Sequence, residues 1–265
     1  MNIHPTAVIE PSVKLGSNVE VGAHAVIKGE VEIGDNSIIK DNTTIYGPLK
    51  MGTGNIIHPG VVLGNVSQDL KYKGEASQVI IGDNNSIREC VTIHQGTTSN
   101  NGKTIIGNNN LLMAYTHVAH DCLLGSNIII ANGTQLAGHV HIDDFAYIGG
   151  LVGVHQFTTI GKNCLIGFMS RINKDVPPFV TVEGNPSKER FINVIGLKRK
   201  NYSAEEISLL KKAFNILFIS GKTLKEKESL LTSGEFAGSV YVKDLLNFVL
   251  ASARGKNGRA LEAFR

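Results

Sequence analysis

The sequence predicts a mainly β solenoid of short strands that ends in a small α-helical region. Three observations predict it: a six-residue recurrence of aliphatic side chains, a surplus of glycine without a collagen period, and helix-capping signals confined to the last third. Every sixth residue from Ile3 through Ile9, Leu15 and Val21 to Leu63 is aliphatic or Met51, and the series resumes at Ile81, Ile87 and Ile93. A second register, shifted by one residue, runs from Ile106 through Leu112 and Val118 to Ile172. All 26 sampled positions are filled this way. At a background of roughly one in three, the chance expectation is on the order of 10⁻¹². A period of six fits neither a 3.6-residue helix nor plain alternation. It fits a two- or three-residue strand followed by a turn, with three such units closing a coil of about 18 residues.

The position after the aliphatic residue is often glycine, as at Gly16, Gly34, Gly107 and Gly161, and the residue two places before it is often small, as at Ala25, Ser37, Cys122 and Cys164. Glycine there is expected to supply the unusual backbone angles of each corner. The 29 glycines among 265 residues, about 11% against a usual ~7%, thereby acquire a structural use. The absence of Trp fits a narrow prism. The recurrence stops twice, at about 65–78 and 96–103, where polar segments interrupt it. Such extrusions from a solenoid are expected to be surface loops that carry function.

Beyond the repeats the pattern becomes helical. Ser203-Ala204-Glu205-Glu206 and Thr223-Leu224-Lys225-Glu226 are capping boxes. The first opens a helix expected to reach Phe218, and a third helix is expected from about Val240 to Arg254, stopped by Gly255. The organisation is therefore a repeat domain over 1–187 and a helical domain over 188–265. Charge divides at the same place: 11 Lys/Arg against 15 Asp/Glu before residue 188, and 15 against 8 after it. The basic end calls for an acidic partner or a solvated face.

Three widely spaced cysteines, Cys90, Cys122 and Cys164, form no C-x-x-C pair, which disfavours a disulfide framework and a thiolate metal site and fits a reducing, cytoplasmic setting. No apolar run approaches the ~20 residues of a membrane span, and the N-terminus has no secretory pattern. No nucleic-acid partner and no cofactor is indicated.

The 18-residue arithmetic sets Gly138 one coil from His120 and Gln156 two coils away, with His117, His139 and His155 beside them. Four of the nine histidines thus converge on one wall, within roughly 10 Å along the axis. Imidazoles beside a glycine amide suit proton transfer with oxyanion stabilisation. A zinc site of the γ-carbonic-anhydrase kind is the competing reading, although His117-x-x-His120 is a tight spacing for it. A non-catalytic solenoid scaffold is a third.

The repeats resemble the hexapeptide-repeat family, whose chains wind as a left-handed parallel β-helix. More narrowly, His117-Val118-Ala119-His120-Asp121-Cys122, Leu136-Ala137-Gly138-His139-Val140, Val154-His155-Gln156-Phe157, Gln68-Asp69-Leu70-Lys71-Tyr72, Asp175-Val176-Pro177-Pro178 and Gly196-Leu197-Lys198-Arg199 resemble the acyl-carrier-protein-dependent UDP-N-acetylglucosamine O-acyltransferases of lipid A biosynthesis. The likeness spans essentially the whole chain in the same order. It implies a (3R)-3-hydroxyacyl transfer from acyl carrier protein to the sugar 3-hydroxyl, with another acyl- or acetyltransferase acting on a nucleotide sugar as the alternative. Residue by residue, it implies His120 as general base, Asp121 as its orienting group and the Gly138 amide as oxyanion donor. It further implies His139 beside the acyl chain and reaction centre, and Gln68, Asp69 and Lys71 at the glucosamine. His117, His155, Gln156 and Arg199 would meet the diphosphate, Asn193 the nucleoside, and Phe168 the far end of the acyl chain. A homotrimer with clefts between neighbouring β-helices is implied as well. Two positions depart from the family pattern: Ile195 stands where an acidic nucleoside contact is usual, and Lys200 where a second Arg follows Arg199.

Overall fold

The computed structural model describes residues 2–98 and 101–264. The repeats form a left-handed parallel β-helix with three flat faces, built as sheets of 11, 9 and 8 strands. Successive coils stack in an 18-residue register: Asn2 pairs with Glu20, His117 with Gln135, Leu123 with His141. The register widens at the two interruptions. Ile56 pairs with Ser86 across the 65–78 excursion, and Thr92 pairs with His117 across the 96–103 one; residues 99 and 100 lie outside the described part.

The inward side chains are the ones at period six. From Val21 to Ile172 every one of them is buried, and at ~25 cal/mol per Å² of apolar surface this stack is the main stabilising contribution of the prism. Ile3, at the open first coil, is 42% exposed because no coil lies beneath it. The small residues sit inside too, Cys122 and Cys164 included, where burial raises both thiols, Cys122 to about 12. Between them climbs an asparagine ladder: the Asn55 carbonyl accepts from the Asn85 backbone and side chain, and the Asn85 and Asn110 carbonyls accept from the next coils' Asn110 and Ile128 amides. The ladder satisfies amides that a narrow apolar core would strand.

The glycines do not act as the spacing suggests. The corners are turned in the left-handed region mostly by other residues: Asn36, Asn109, Asn127 and Asn163, and at one edge Asp121, His139 and Phe157, with φ near +60°. Asn and Asp tolerate that region. The glycines after the inward aliphatics instead allow close approach between coils. A Cβ on Gly34, for example, would lie 2.6 Å from the Gly52 carbonyl carbon.

Strand structure continues past 187, since Val180–Gly184 and Ser187–Ile192 form an antiparallel hairpin on the largest sheet. Four α-helices follow: α1 (Val194–Arg199), α2 (Ala204–Phe214), α3 (Leu224–Leu231) and α4 (Val240–Arg254). Both capping boxes form. The expected helix to Phe218 ends in α form at Phe214 and continues as a π-helical turn to Ile219, while α1 carried no sequence signal. Gly255 does close α4, but with φ −75° rather than a left-handed cap; a Cβ there would strike the Arg259 carbonyl.

The helices cap the last coil. Phe179 is fully buried and meets the rings of Tyr202 and Tyr241 at 6.2 and 5.9 Å. Asp175 accepts from Thr159 in the prism and from Ser252 and Ala260 in the helical part. No helix among the described residues is long and apolar enough to cross a membrane.

Candidate active site

His120 follows the short strand His117–Val118, in which Val118 points inward and His117 outward. The next coil stacks on this turn: the His139 amide donates to the His120 carbonyl at 3.0 Å, and the Phe157 amide to the Gly138 carbonyl at 3.2 Å. Gly138 thereby lies against the His120 ring, and a Cβ would come within 2.5 Å of Nε2. Among the described residues the backbone ladder uses the Ala137 and His139 amides and passes over the Gly138 N–H.

His120 Nδ1 lies 2.9 Å from the Asp121 carboxylate. Asp121 is buried, and its oxygens also accept from the Thr97 amide (2.9 Å) and hydroxyl (2.6 Å), while its own amide donates to Thr104. Burial pushes its carboxyl upward, but the hydrogen bonds from His120 and Thr97 outweigh that and hold it below the usual carboxylate range. An ionised Asp121 accepts a hydrogen bond from His120 Nδ1–H, which orients the ring with Nε2 facing outward.

Outward from Nε2 is a groove of about 870 Å³. Its wall carries His117, His120, Gly138, His155 and Gln156, and the excursion overhangs it with Gln68, Asp69 and Lys71. The Asp69 carboxylate stands 4.0 Å from His120 Nε2, close enough for the two to face neighbouring groups of one small ligand. Asp69 is held by an Asx turn in which its carboxylate accepts from the Lys71 amide at 2.9 Å.

Three of the four histidines therefore line one wall. His139 is buried behind the corner, edge-on to His120 with centroids 5.0 Å apart and stacked on Phe157. His120, Asp121 and His139 are the one group among the described residues whose His and carboxylate donors gather closely enough for a metal ion. Asp121, however, already accepts from Thr97 and His120, so the trio reads as a hydrogen-bonded unit.

Asn193 and Arg199 lie elsewhere, in a cavity of about 1140 Å³ where the largest sheet meets the helices. Asn193 is the N-cap of α1: its side chain accepts from the Gly196 amide and donates to the Asn163 carbonyl. Ile195, Lys200, Arg190 and Lys211 share this cavity with Arg199. Phe168 is 64% exposed on another edge, outside the groove.

Sequence reasoning placed Ile93 in the repeat but missed its neighbours Thr92 and His94 as part of the site. Thr92 hydroxyl and His117 Nδ1 are 2.7 Å apart, and buried His94 sits edge-on to His117 at 4.9 Å. Burial, then the neighbouring His117 and His120, lower His94 to about 4; burial lowers His117 as well. The excursions displace these residues from the 18-residue arithmetic, so spacing could not pair them.

A family model described as UDP N-acetylglucosamine O-acyltransferase, domain 2, matches residues 175–256, and bacterial transferase hexapeptide repeats match 30–65 and 103–138. A protein of Herminiimonas arsenicoxydans named acyl-(acyl-carrier-protein)–UDP-N-acetylglucosamine O-acyltransferase is 45% identical over 96% of this chain and 98% of its own. One of the same name from Aliarcobacter butzleri is 48% identical over 96% and 97%. Among solved structures, LpxA from Acinetobacter baumannii superposes with a TM-score of 0.90 at 39% identity, covering 93% of this chain and 96% of that one. The Francisella novicida UDP-N-acetylglucosamine acyltransferase superposes at 0.91 and 38%, covering 99% and 97%. With near-complete coverage on both sides, the chain belongs to the acyl-(acyl-carrier-protein)–UDP-N-acetylglucosamine O-acyltransferase family and is an acyltransferase.

Proposed function

We propose that the protein transfers a (3R)-3-hydroxyacyl group from acyl carrier protein to the 3-hydroxyl of UDP-N-acetylglucosamine, the opening step of lipid A biosynthesis, in the cytoplasm. The observation that carries this reading is the Asp121–His120 pair opening onto a groove with Asp69 4.0 Å from Nε2. A sugar hydroxyl is not ionised at neutral pH, but it can surrender its proton to an imidazole as it attacks. In the proposed step the hydroxyl oxygen bonds to the thioester carbon and its proton passes to His120 Nε2. The carbonyl electron pair moves to oxygen, and the Gly138 N–H, free of the backbone ladder, donates a hydrogen bond to that oxyanion. Collapse expels the carrier's thiolate, which takes the proton back from His120. The reacting hydroxyl has one proton, so Asp69 accepts from a neighbouring donor of the sugar and Lys71 and Gln68 flank it.

His117, His155 and Gln156 then fall on the diphosphate side. Arg199 and Asn193 reach that ligand from an adjacent subunit, and His139 buttresses His120 near the acyl end. We place the chain in a homotrimer. Tyr115, Leu151, Phe168 and Met169 are all more than half exposed along one edge, which supports a buried subunit contact there. The acyl chain runs toward Phe168. Phe168→Gly is expected to shift preference toward longer chains, and an unchanged profile over a series of acyl lengths would return Phe168 to the interface. The reaction itself is tested by incubation with UDP-N-acetylglucosamine and a series of 3-hydroxyacyl carrier proteins or acyl-CoA, with mass analysis of the product. A 3-O-acylated sugar nucleotide from the carrier-bound donor is expected, and no such product would overturn the reading.

A further inference from the structure

The excursion that carries Gln68, Asp69 and Lys71 leaves the prism after strand Val62–Asn65 and returns at Gln78. Around its tip the hydrogen bonds are short-range: Asp69 accepts from Lys71 and Tyr72, the Asp69 amide donates to Ser67, and the Tyr72 hydroxyl to the Glu75 carbonyl; farther along, the Glu75 carboxylate accepts from the Thr98 hydroxyl at 3.4 Å, an exposed contact. Leu70 at the tip is fully exposed, so apolar packing does not hold the tip. The buried hydrogen bonds that fix Asp69 relative to His120 lie at the root.

At the root lies Gln95, which is buried. Its side-chain amide donates to the Gly64 carbonyl at 2.8 Å and the Gly47 carbonyl at 3.3 Å, and its carbonyl accepts from the Ser77 hydroxyl at 3.0 Å. Its backbone amide donates to the Asn65 carbonyl at 2.9 Å. One side chain thus bonds the residue before the excursion and the residue that ends it. Buried amides with every partner in place are rigid, and losing one leaves a stranded group.

We infer that Gln95 is a positioning residue: it clamps both ends of the excursion and so sets the Asp69–His120 gap at which the acceptor sugar binds. The inference rests on the proposed function for the identity of the ligand, but not for the clamp. Removing the clamp lets the tip wander, and weakens recognition of the sugar more than it slows chemistry at saturation.

The chain has no Trp, so Leu70→Trp places a single fluorophore on the tip. In that background Gln95→Met, similar in length but without the amide, is expected to lower the fluorescence anisotropy and raise acrylamide quenching. In the otherwise native protein the same substitution is expected to raise the Kd and KM for UDP-N-acetylglucosamine about tenfold. The KM for the acyl donor, the pH profile of kcat and kcat itself should move less than threefold. Ser77→Ala, which removes one bond of the clamp, should give a smaller change of the same kind, and it decides the matter if Gln95→Met does not fold. A folded variant with unchanged tip mobility, or equal losses in kcat and sugar affinity, would overturn the inference. Should the native protein bind no UDP-N-acetylglucosamine, the proposed function fails, while the fluorescence comparison still decides the clamp.

Discussion

The groove at His120 and the cavity beside the helices are both hollows on the same prism that carry charged side chains, but they are held in opposite ways. In the groove each reactive group is fixed from behind: His120 by Asp121, Asp121 by Thr97, His117 by Thr92. In the junction cavity the cations are loosely held. Arg190 meets Glu183 at 3.3 Å at an exposed site, Lys200 lies over the Phe145 ring at 3.9 Å, and among the described residues Arg199 and Lys211 form no ion pair. Proton transfer needs geometry set before the substrate arrives, whereas capture of an anion tolerates mobile charge. The contrast fits the proposed division of chemistry at the first site and binding at the second.

The sharpest way to break that division is at the base. His120→Ala is expected to lower kcat about 10³-fold, within the range for loss of a general base, and to leave the circular dichroism of the β-helix unchanged. Near-normal turnover would remove His120 from the chemistry. Next comes Gly138→Ala. The new Cβ would press on the imidazole it now supports, so kcat should fall about 10²-fold with little change in sugar KM. Gly238→Ala, whose Cβ would meet nothing, is the control.

Much of this was legible in the sequence because the solenoid converts spacing into position. The outward column His117, Gln135, Gly153, Arg171 and the stacking of Gly138 on His120 both follow from adding 18. What spacing could not convey was whatever the two excursions displaced. Thr92 stands behind His117, and Thr97 reaches Asp121, only because chain was inserted between coils. Nor could composition distinguish a glycine needed for its φ from one needed for close approach, which is why Asn36 and Asn109 turn the corners and Gly34 does not. Asn193 also caps α1 with its side chain, a local role that the tripeptide Asn193-Val194-Ile195 does not announce.

At the second site the expected loss is smaller and of another kind. Arg199→Ala should raise the KM for the sugar nucleotide about tenfold at unchanged kcat, and the fall of kcat/KM with added salt should become shallower, because exposed charge acts over roughly one Debye length. A loss in kcat instead would mean that the cavity takes part in chemistry and would dissolve the distinction.

The smallest effect is on stability, and it too separates the two sites. Behind the groove, burial and then the nearby His117 and His120 hold His94 neutral, with its pKa lowered from 6.5 to about 4. In the unfolded chain His94 takes up a proton as pH falls through 6.5, while in the folded chain it does so only near 4. The unfolded state therefore binds more protons in that window, so the contribution is whole above pH 6.5 and is lost as pH drops toward 4. It amounts to about 3 kcal/mol, with His117 acting in the same direction. Urea unfolding at fixed protein concentration at pH 7.5, 6 and 5 should show stability falling with acid. In His94→Gln the slope should flatten by about 1 kcal/mol per pH unit, whereas Arg199→Ala, which removes a charge that does not titrate there, should leave the slope as it was. Equal slopes in all three proteins would mean that His94 takes up its proton alike in the folded and unfolded chains, and that the wall behind His117 is not kept dry as its burial indicates.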